Sequence, residues 1–456
     1  MKTRFRNLWE VLRSTFWIVP ALMTTAAVAL SFALIALDET VRDRVLEDIG
    51  WLWAGGPEGA RALLSTVAGS MITVAGVVFS ITIVALSLAS SQFGPRLLRN
   101  FMRDMGNQIV LGTFIATFVY CLLVLRTVRG DDGQQFVPAI AITVALALAM
   151  ASLGVLIYFI HHVAASIQVT HLITVVSEEL LYAIDRLFPQ ELGHGDPEPA
   201  RQPLAAQLPE RFEHQARRVN AAHSGYLQAV DGEALMALAT EYDLIVQVNH
   251  RPGHFVVQGG ALAMVWPGDR LDERRAEKIR EAFLIGAERT LTQDVEFALD
   301  QLVEVAVRAL SPGMNDPFTA MACIDRLGEA LCRLAARALP SSVRYDDRGQ
   351  LRVIAYPFSF ADATGAAFDQ IRQYGRSSTA VTIRLLEVIA TVAAYTSREE
   401  DRAALLQQAD MVKRGSQKAI PEERDRQEVE ARYQVVERAL EQRWAPSQPC
   451  LSSTRR

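Results

Sequence analysis

Charge is missing from four long stretches of this 456-residue chain. No Asp, Glu, Lys or Arg interrupts residues 16–37, 62–91, 109–125 or 137–160. An apolar run of about 18 residues or more is long enough to cross a bilayer as a helix. Lipid offers no partner to an open backbone N–H or C=O, so such a run crosses as a helix. No comparable run follows residue 160. Hydrophobic residues make up 50% of the chain, yet the mean hydropathy is only +0.14, because a polar C-terminal part dilutes an oily N-terminal one.

Cysteine is equally scarce. Cys121, Cys323, Cys332 and Cys450 are scattered, with no metal-type pair among them, so reduced thiols are expected. A basic excess is absent too: the formal net charge is −5, which excludes a nucleic-acid-binding signature. No G-x-S-x-G, phosphate loop, H-E-x-x-H or kinase set occurs. The chain is therefore read as a non-enzyme, with no catalytic residue, cofactor or metal ligand assigned.

The charges that are present give an orientation. Lys2, Arg4, Arg6 and Arg13 precede the first span, and Arg96, Arg99 and Arg103 follow the second. The opposite loops carry Arg42 and Arg44 among five acidic residues, then Arg126 and Arg129 beside Asp131 and Asp132. Lys and Arg concentrate in cytoplasmic flanks. This bias puts both termini in the cytoplasm, with Trp51 and Trp53 at the outer interface. The first apolar run is longer than a signal-peptide core and lacks a convincing cleavage site, so it is read as an uncleaved span.

The expected fold is an α-helical membrane protein of four transmembrane helices (1–165) with an α+β cytoplasmic domain (166–440) and a disordered tail (441–456). Within that domain, 167–188 reads as an amphipathic helix and 189–209, rich in Pro, Gly and Ala, as a linker. A small β-unit follows at about 223–268. Its strands are 226–230, 244–249, 255–258 and 262–266, the last two forming a hairpin around Gly259-Gly260, with a helix at 233–241. The pattern is similar to half of a lipoyl-like domain. No Lys stands at a hairpin tip, so a structural or docking module is expected. The helical part, about 271–440, begins with helices at 272–283 and 287–310. The segment Ser311–Pro317 breaks the second, and further helices cover 317–338, 361–374, 379–395 and 421–443, with a strand at 351–356.

Span two carries the sharpest pattern. Thr66, Ser70, Thr73, Ser80, Ser87 and Ser91 fall at separations of 4, 3, 7, 7 and 4, which places them on one helical stripe. A hydroxyl stripe can line a narrow wet pathway or let membrane helices pack closely. Arg96, Arg99 and Arg103 follow it directly and can form a basic cytoplasmic vestibule or an ordinary lipid-facing flank. His161, His162 and His171 do not share a face and are read as unliganded. Asp300, Glu304 and Arg308, at i, i+4 and i+8, read as a salt-bridge ladder. In Ser311-Pro312-Gly313-Met314-Asn315-Asp316-Pro317, Gly313 is expected to take a left-handed conformation, Asn315 to belong to the same turn and Asp316 to cap the next helix.

Three segments carry a resemblance: "SMITVAGVVFSITIVALSLASSQFGPRLL", "RPGHFVVQGGAL" and "RTLTQDVEFALDQLVEVAVRALSPGMNDPFTA". They resemble domain-of-unknown-function family 2254, bacterial predicted membrane proteins, over about residues 7–440. One departure is His254, where an acidic residue is expected after "RPG". The resemblance implies a multi-pass protein of the bacterial inner membrane and supplies no activity. Two functions remain open. One is a homo-oligomeric channel or passive transport protein with Ser70, Thr73, Ser80, Ser87 and Ser91 lining the pathway. The other is a membrane-anchored sensor or scaffold whose cytoplasmic domain binds a partner or small ligand. The lipid bilayer and further copies of the chain are the expected partners.

Overall fold

The structure, a computed structural model, describes residues 17–41, 55–94, 104–130, 136–166, 168–188, 208–209 and 212–441. The chain divides into two compact units, Met1–Leu172 and Ile173–Arg456.

The first unit is built on four apolar helices: α1 (Ile18–Val41), α2 (Pro57–Phe93), α3 (Met105–Thr127) and α4 (Ala139–Ser166). All four are long and apolar enough to cross a membrane. The third is half buried, so it forms the centre on which the others pack. Large apolar side chains on the outside, among them Phe32, Phe79, Val84, Met150, Ile157 and Ile160, are exposed. Such a surface suits lipid and not water. Each helix extends past its uncharged run. Pro57 opens α2 at its first turn, where a missing N–H costs nothing. Gly94 ends it at φ 109 with its N–H on the Ser90 carbonyl. At about 1.5 Å per residue, the 37 residues of α2 reach about 55 Å, against a hydrocarbon core of about 30 Å.

Polar contacts tie this unit together at particular levels. Asp38, near the end of α1, accepts the N–H groups of Ile140 and Ala141 at 3.0 and 2.9 Å. A carboxylate there satisfies open donors at the start of α4. The Tyr120 hydroxyl donates to the Ala141 carbonyl at 2.9 Å, and the buried Thr117 and Ser152 hydroxyls meet at 3.3 Å. Arg61 donates to the Val128 carbonyl at 3.1 Å.

The second unit contains most of α5 (Val169–Leu187), whose buried face includes Ile173, Val176, Leu180 and Ile184. The short α6 (Phe212–Gln215) leads into β1 (Arg217–Asn220), β2 (Gly225–Val230), α7 (Gly232–Glu241), β3 (Ile245–Val248), β4 (Phe255–Val256) and β5 (Ala261–Trp266). Then follow α8 (Glu273–Arg280), β6 (Phe283–Gly286), α9 (Val295–Ala309), α10 (Pro317–Ala335), β7 (Val343–Tyr345) and β8 (Leu351–Ile354). Four helices close the described chain: α11 (Phe360–Gly375), α12 (Thr379–Ala393), α13 (Glu399–Ala419) and α14 (Glu423–Glu441).

The strands form two sheets, ordered β1-β5-β3-β8-β7 and β4-β2-β6, with β3 and β8 parallel and all other pairs antiparallel. One apolar core lies under both, made by Leu227, Leu235, Val246, Leu262 and Ile279 among others. The expected hairpin at 255–266 does not form: β4 pairs with β2, while β5 pairs with β1 and β3. The Gly259-Gly260 turn is tied instead to Ala221, whose carbonyl accepts from Gly259 and whose N–H donates to Gly260. Residue 283, read as a helix end, opens β6, which continues through 284–286, a stretch left unassigned between the two expected helices. The second expected helix starts at Val295 instead of 287, because Asp294 takes the N-cap. Helix α13 was not foreseen. Helix α14, expected to be solvated, buries Val429, Tyr433 and Val436 on the bundle. The linker at 189–209 lies almost wholly, and the tail after 441 wholly, outside the described residues.

Candidate functional site

The hydroxyl stripe of α2 points away from the rest of its unit. Thr66, Ser70, Thr73, Ser80, Ser87 and Ser91 are all exposed, whereas Ala60, Leu64, Ala68, Ala75, Val78, Ala85 and Ala89 are buried against the neighbouring helices. A Cβ added to Gly69 or Gly76 would meet nothing within 4 Å. Thr66, Ser70 and Thr73 donate to carbonyls one turn back at 2.7, 2.7 and 2.8 Å, and Ser91 donates to the Leu88 carbonyl at 2.8 Å. Polar contact between helices inside the unit is instead made by Thr117, Ser152, Tyr120 and Asp38, which the sequence pattern had not singled out. Arg96, Arg99 and Arg103 lie outside the described residues.

In the second unit, two of the quoted segments meet. Gly253 has φ +96, and a Cβ there would lie 2.3 Å from Asp294 Oδ2. Asp294 is 3% exposed and caps α9 by accepting the Phe297 N–H at 3.0 Å. Arg289 grips it through Nε and Nη2 at 2.7 and 3.0 Å and reaches Asp300 with Nη1 at 2.8 Å. Asp300 of the expected ladder thus meets Arg289, while Glu304 and Arg308 pair at 3.3 Å. Arg251 pairs with Asp362 at 2.6 Å and with Glu296 at 3.7 Å, its guanidinium 5.4 Å over the Phe358 ring. Gln293 clamps β2 from both sides, accepting the Val230 N–H at 2.9 Å and donating to its carbonyl at 3.1 Å. Burial, then the nearby Asp300, pushes the Glu296 carboxyl above its usual range. Burial, then Arg251 and His250, holds the His254 imidazole below its usual value.

This junction borders a cavity of about 1140 Å³. Its wall is formed by α7, the start of α9, the 248–252 segment, the residues around β7 and β8, and the end of α5. The sequence pattern showed none of this, because the wall is assembled from six separate segments. The one usable signal was Arg251-Pro252-Gly253, a turn of unusual composition between two strands.

The 311–317 turn is built differently from expectation. Gly313 does not have positive φ, and its Cβ position is open; Asn315 takes the left-handed conformation instead, at φ 49. The chain turns one residue before the cap, where the Asn315 N–H reaches the Ser311 carbonyl at 2.9 Å. Asn is among the residues that tolerate this region. Asp316 accepts the Phe318 and Thr319 N–H groups and the Thr319 hydroxyl, at 3.1, 3.1 and 2.6 Å, with Pro317 at the first helical turn. The Thr319 hydroxyl, opposed by some burial, holds the Asp316 carboxyl below its usual range.

Of the three histidines, His161 and His171 are exposed. His162 has a partner: its Nε2 lies 2.5 Å from Asp104 Oδ2, and Tyr158 stacks on its ring at 5.3 Å. Asp104 also caps α3 through the Gly106 N–H at 2.8 Å. Cys121 and Cys323 are buried, Cys332 is half-buried, and all three are free thiols.

Uncharacterized proteins of Mycobacterium bovis and Mycobacterium tuberculosis are each 36% identical to the chain over 437 residues, covering 93% of it and 81% of their own length. No solved structure matches it. The signature of the predicted membrane proteins named DUF2254 matches residues 13–391, so the chain belongs to that family.

Proposed function

We propose that the protein is a homo-oligomeric channel or passive transport protein of the bacterial inner membrane, with α2 lining the pathway. The carrying observation is that Ser70, Thr73, Ser80, Ser87 and Ser91 are exposed on a face of α2 that, among the described residues, no helix of its own unit covers. Small and hydroxyl-bearing faces let membrane helices approach closely. A ring of such faces from several copies leaves a narrow polar lumen without charge. The missing intramembrane charge on that face favours passive conduction over ion-coupled pumping, which relies on ionisable groups.

The test is flux through purified protein in vesicles. Ser80→Cys is expected to conduct until a thiol reagent is added and then to be blocked. Ser152→Cys, buried beside α3, is expected to be insensitive. Single copies in nanodiscs together with no ion flux from vesicles would sink the reading. A second reading, a membrane-anchored sensor, is favoured by the cavity of the second unit.

A further inference from the structure

The wall of the second unit's cavity combines apolar side chains with a few charged ones. Much of its wall is apolar, including Leu187, Phe188, Leu235, Met236, Val295 and Phe358. Its volume, about 1140 Å³, is ample for a small organic molecule, since ligand pockets run from roughly 300 to 1,000 Å³. Two arginines line it. Arg251 is already neutralised by Asp362 and Glu296. Arg344 is not. Its guanidinium donates only to the main-chain carbonyls of Ser341 and Val343, at 2.5 and 3.3 Å. Among the described residues no carboxylate pairs with it. Nearby protein atoms pull it somewhat below the usual arginine range, although the residue stands exposed on β7. Arginine stays protonated near neutrality all the same. An exposed arginine on the wall of an otherwise largely apolar cavity, with no carboxylate on it among the described residues, is a place where a planar anion can pair. The carboxylates not already held, Glu233 and Glu241, stand on α7 and are exposed like Arg344, so solvent screens all three.

We propose that this cavity binds an organic anion with an apolar body and a single carboxylate, the carboxylate pairing with Arg344 and the body lying against Leu235, Met236 and Phe358. The proposal names the ligand class for the sensor reading and is independent of the channel reading. The anion can come from the aqueous phase as an aromatic acid or from the bilayer as a fatty acid, and the two present the same head group.

The experiment uses full-length protein in nanodiscs, with empty nanodiscs as control and ligand-observed NMR as readout. The probes are indole-3-acetate, its amide and tryptamine, which share one ring system and differ in head charge, and octanoate. Indole-3-acetate or octanoate is expected to bind, and the better of the two identifies the source. Arg344→Gln is expected to weaken that binding by about tenfold or more, to the level of the amide, and Arg344→Lys to restore part of it. Met236→Trp, which fills the cavity, is expected to abolish binding of every probe. Preferred binding of tryptamine, blocked by Met236→Trp, would overturn the anion assignment while leaving a ligand-binding sensor standing. No binding of any probe, or an acid affinity unchanged in Arg344→Gln, would overturn it as well.

Discussion

Gly253 and Gly313 both follow a proline in a tight turn, and they carry opposite constraints. Gly253 has a left-handed φ and faces the Asp294 carboxylate so closely that no Cβ fits. A side chain in the left-handed region costs roughly 1–2 kcal/mol before any clash. Displacing Asp294 also disturbs the cap of α9 and its grip by Arg289. Gly253→Ala is therefore expected to lower the melting temperature of the full-length protein in detergent by several degrees. Gly313 has an ordinary φ and open space, so Gly313→Ala should melt at or slightly above the parent, gaining at most about 1 kcal/mol from a stiffer unfolded chain. Equal melts for the two variants would refute this account. The dipeptide signals a turn in both places, but which glycine is obligatory depends on a carboxylate 41 positions away for Gly253, and no local pattern encodes that. Asp316 was legible, because a cap beside Pro317 is a local signal, and its loss should cost about 0.5–2 kcal/mol in Asp316→Ala. Its pH dependence has a definite sign. The folded carboxyl titrates below its usual range. The stabilisation from its charge is thus present above the unfolded value of about 4 and is lost as pH falls through the folded one. Asp316→Asn, which keeps the cap geometry without the charge, should therefore lag the parent in denaturant melts near neutrality and converge with it in acid.

Among the elements, the helices of the membrane unit were legible because their signal is local and long: a run without charge identifies each span by itself. The sheets were less so. Strand β5 finds its neighbours in β1 and β3, and β3 finds β8 about a hundred residues on, so the pairing is set by the shared core and not by the intervening turn. The cavity belongs to the same class of features, assembled from segments that periodicity cannot bring together. On α2, the hydroxyls that offered either a pathway lining or helix packing are exposed, and a hydroxyl contact between helices is made by Thr117 and Ser152 on α3 and α4. This gives a contrast at the level of whole helices. Thr117→Val removes a buried interhelical hydrogen bond, and such bonds in membranes are worth on average about 0.6 kcal/mol. It should lower the thermal stability of detergent-solubilised protein measurably. Ser70→Ala should leave it unchanged, because that hydroxyl already bonds to its own helix at the Thr66 carbonyl. A loss for Ser70→Ala equal to that for Thr117→Val would mean that the stripe is an internal seam.

At the scale of the molecule, the orientation of the membrane unit rests on two polar seams. At one end, Asp38 holds the start of α4, and Arg61, near the start of α2, reaches the carbonyl just beyond α3. At the other end, Asp104 at the start of α3 pairs with His162 near the end of α4. The four helices therefore alternate in direction, so that the ends of α1 and α3 and the starts of α2 and α4 share one face, while the starts of α1 and α3 and the ends of α2 and α4 share the other. Four alternating spans put the start of α1 and the end of α4 on that second face. Which face is the cytoplasm is an expectation from the Lys and Arg bias of the sequence alone, in which Arg96, Arg99 and Arg103 follow α2 and four basic residues precede α1. The prediction is that single cysteines at Trp51 and Asp132, in a Cys332→Ser, Cys450→Ser background, react with an impermeant thiol reagent added to intact cells. Cysteines at Arg99 and Gly195 should react only after permeabilisation. Labelling of Trp51 and Arg99 from the same side would contradict the seams. Labelling of Arg99 and Gly195 from outside, with Trp51 and Asp132 protected, would leave the seams intact and invert the orientation, placing the cavity and Arg344 outside the cell.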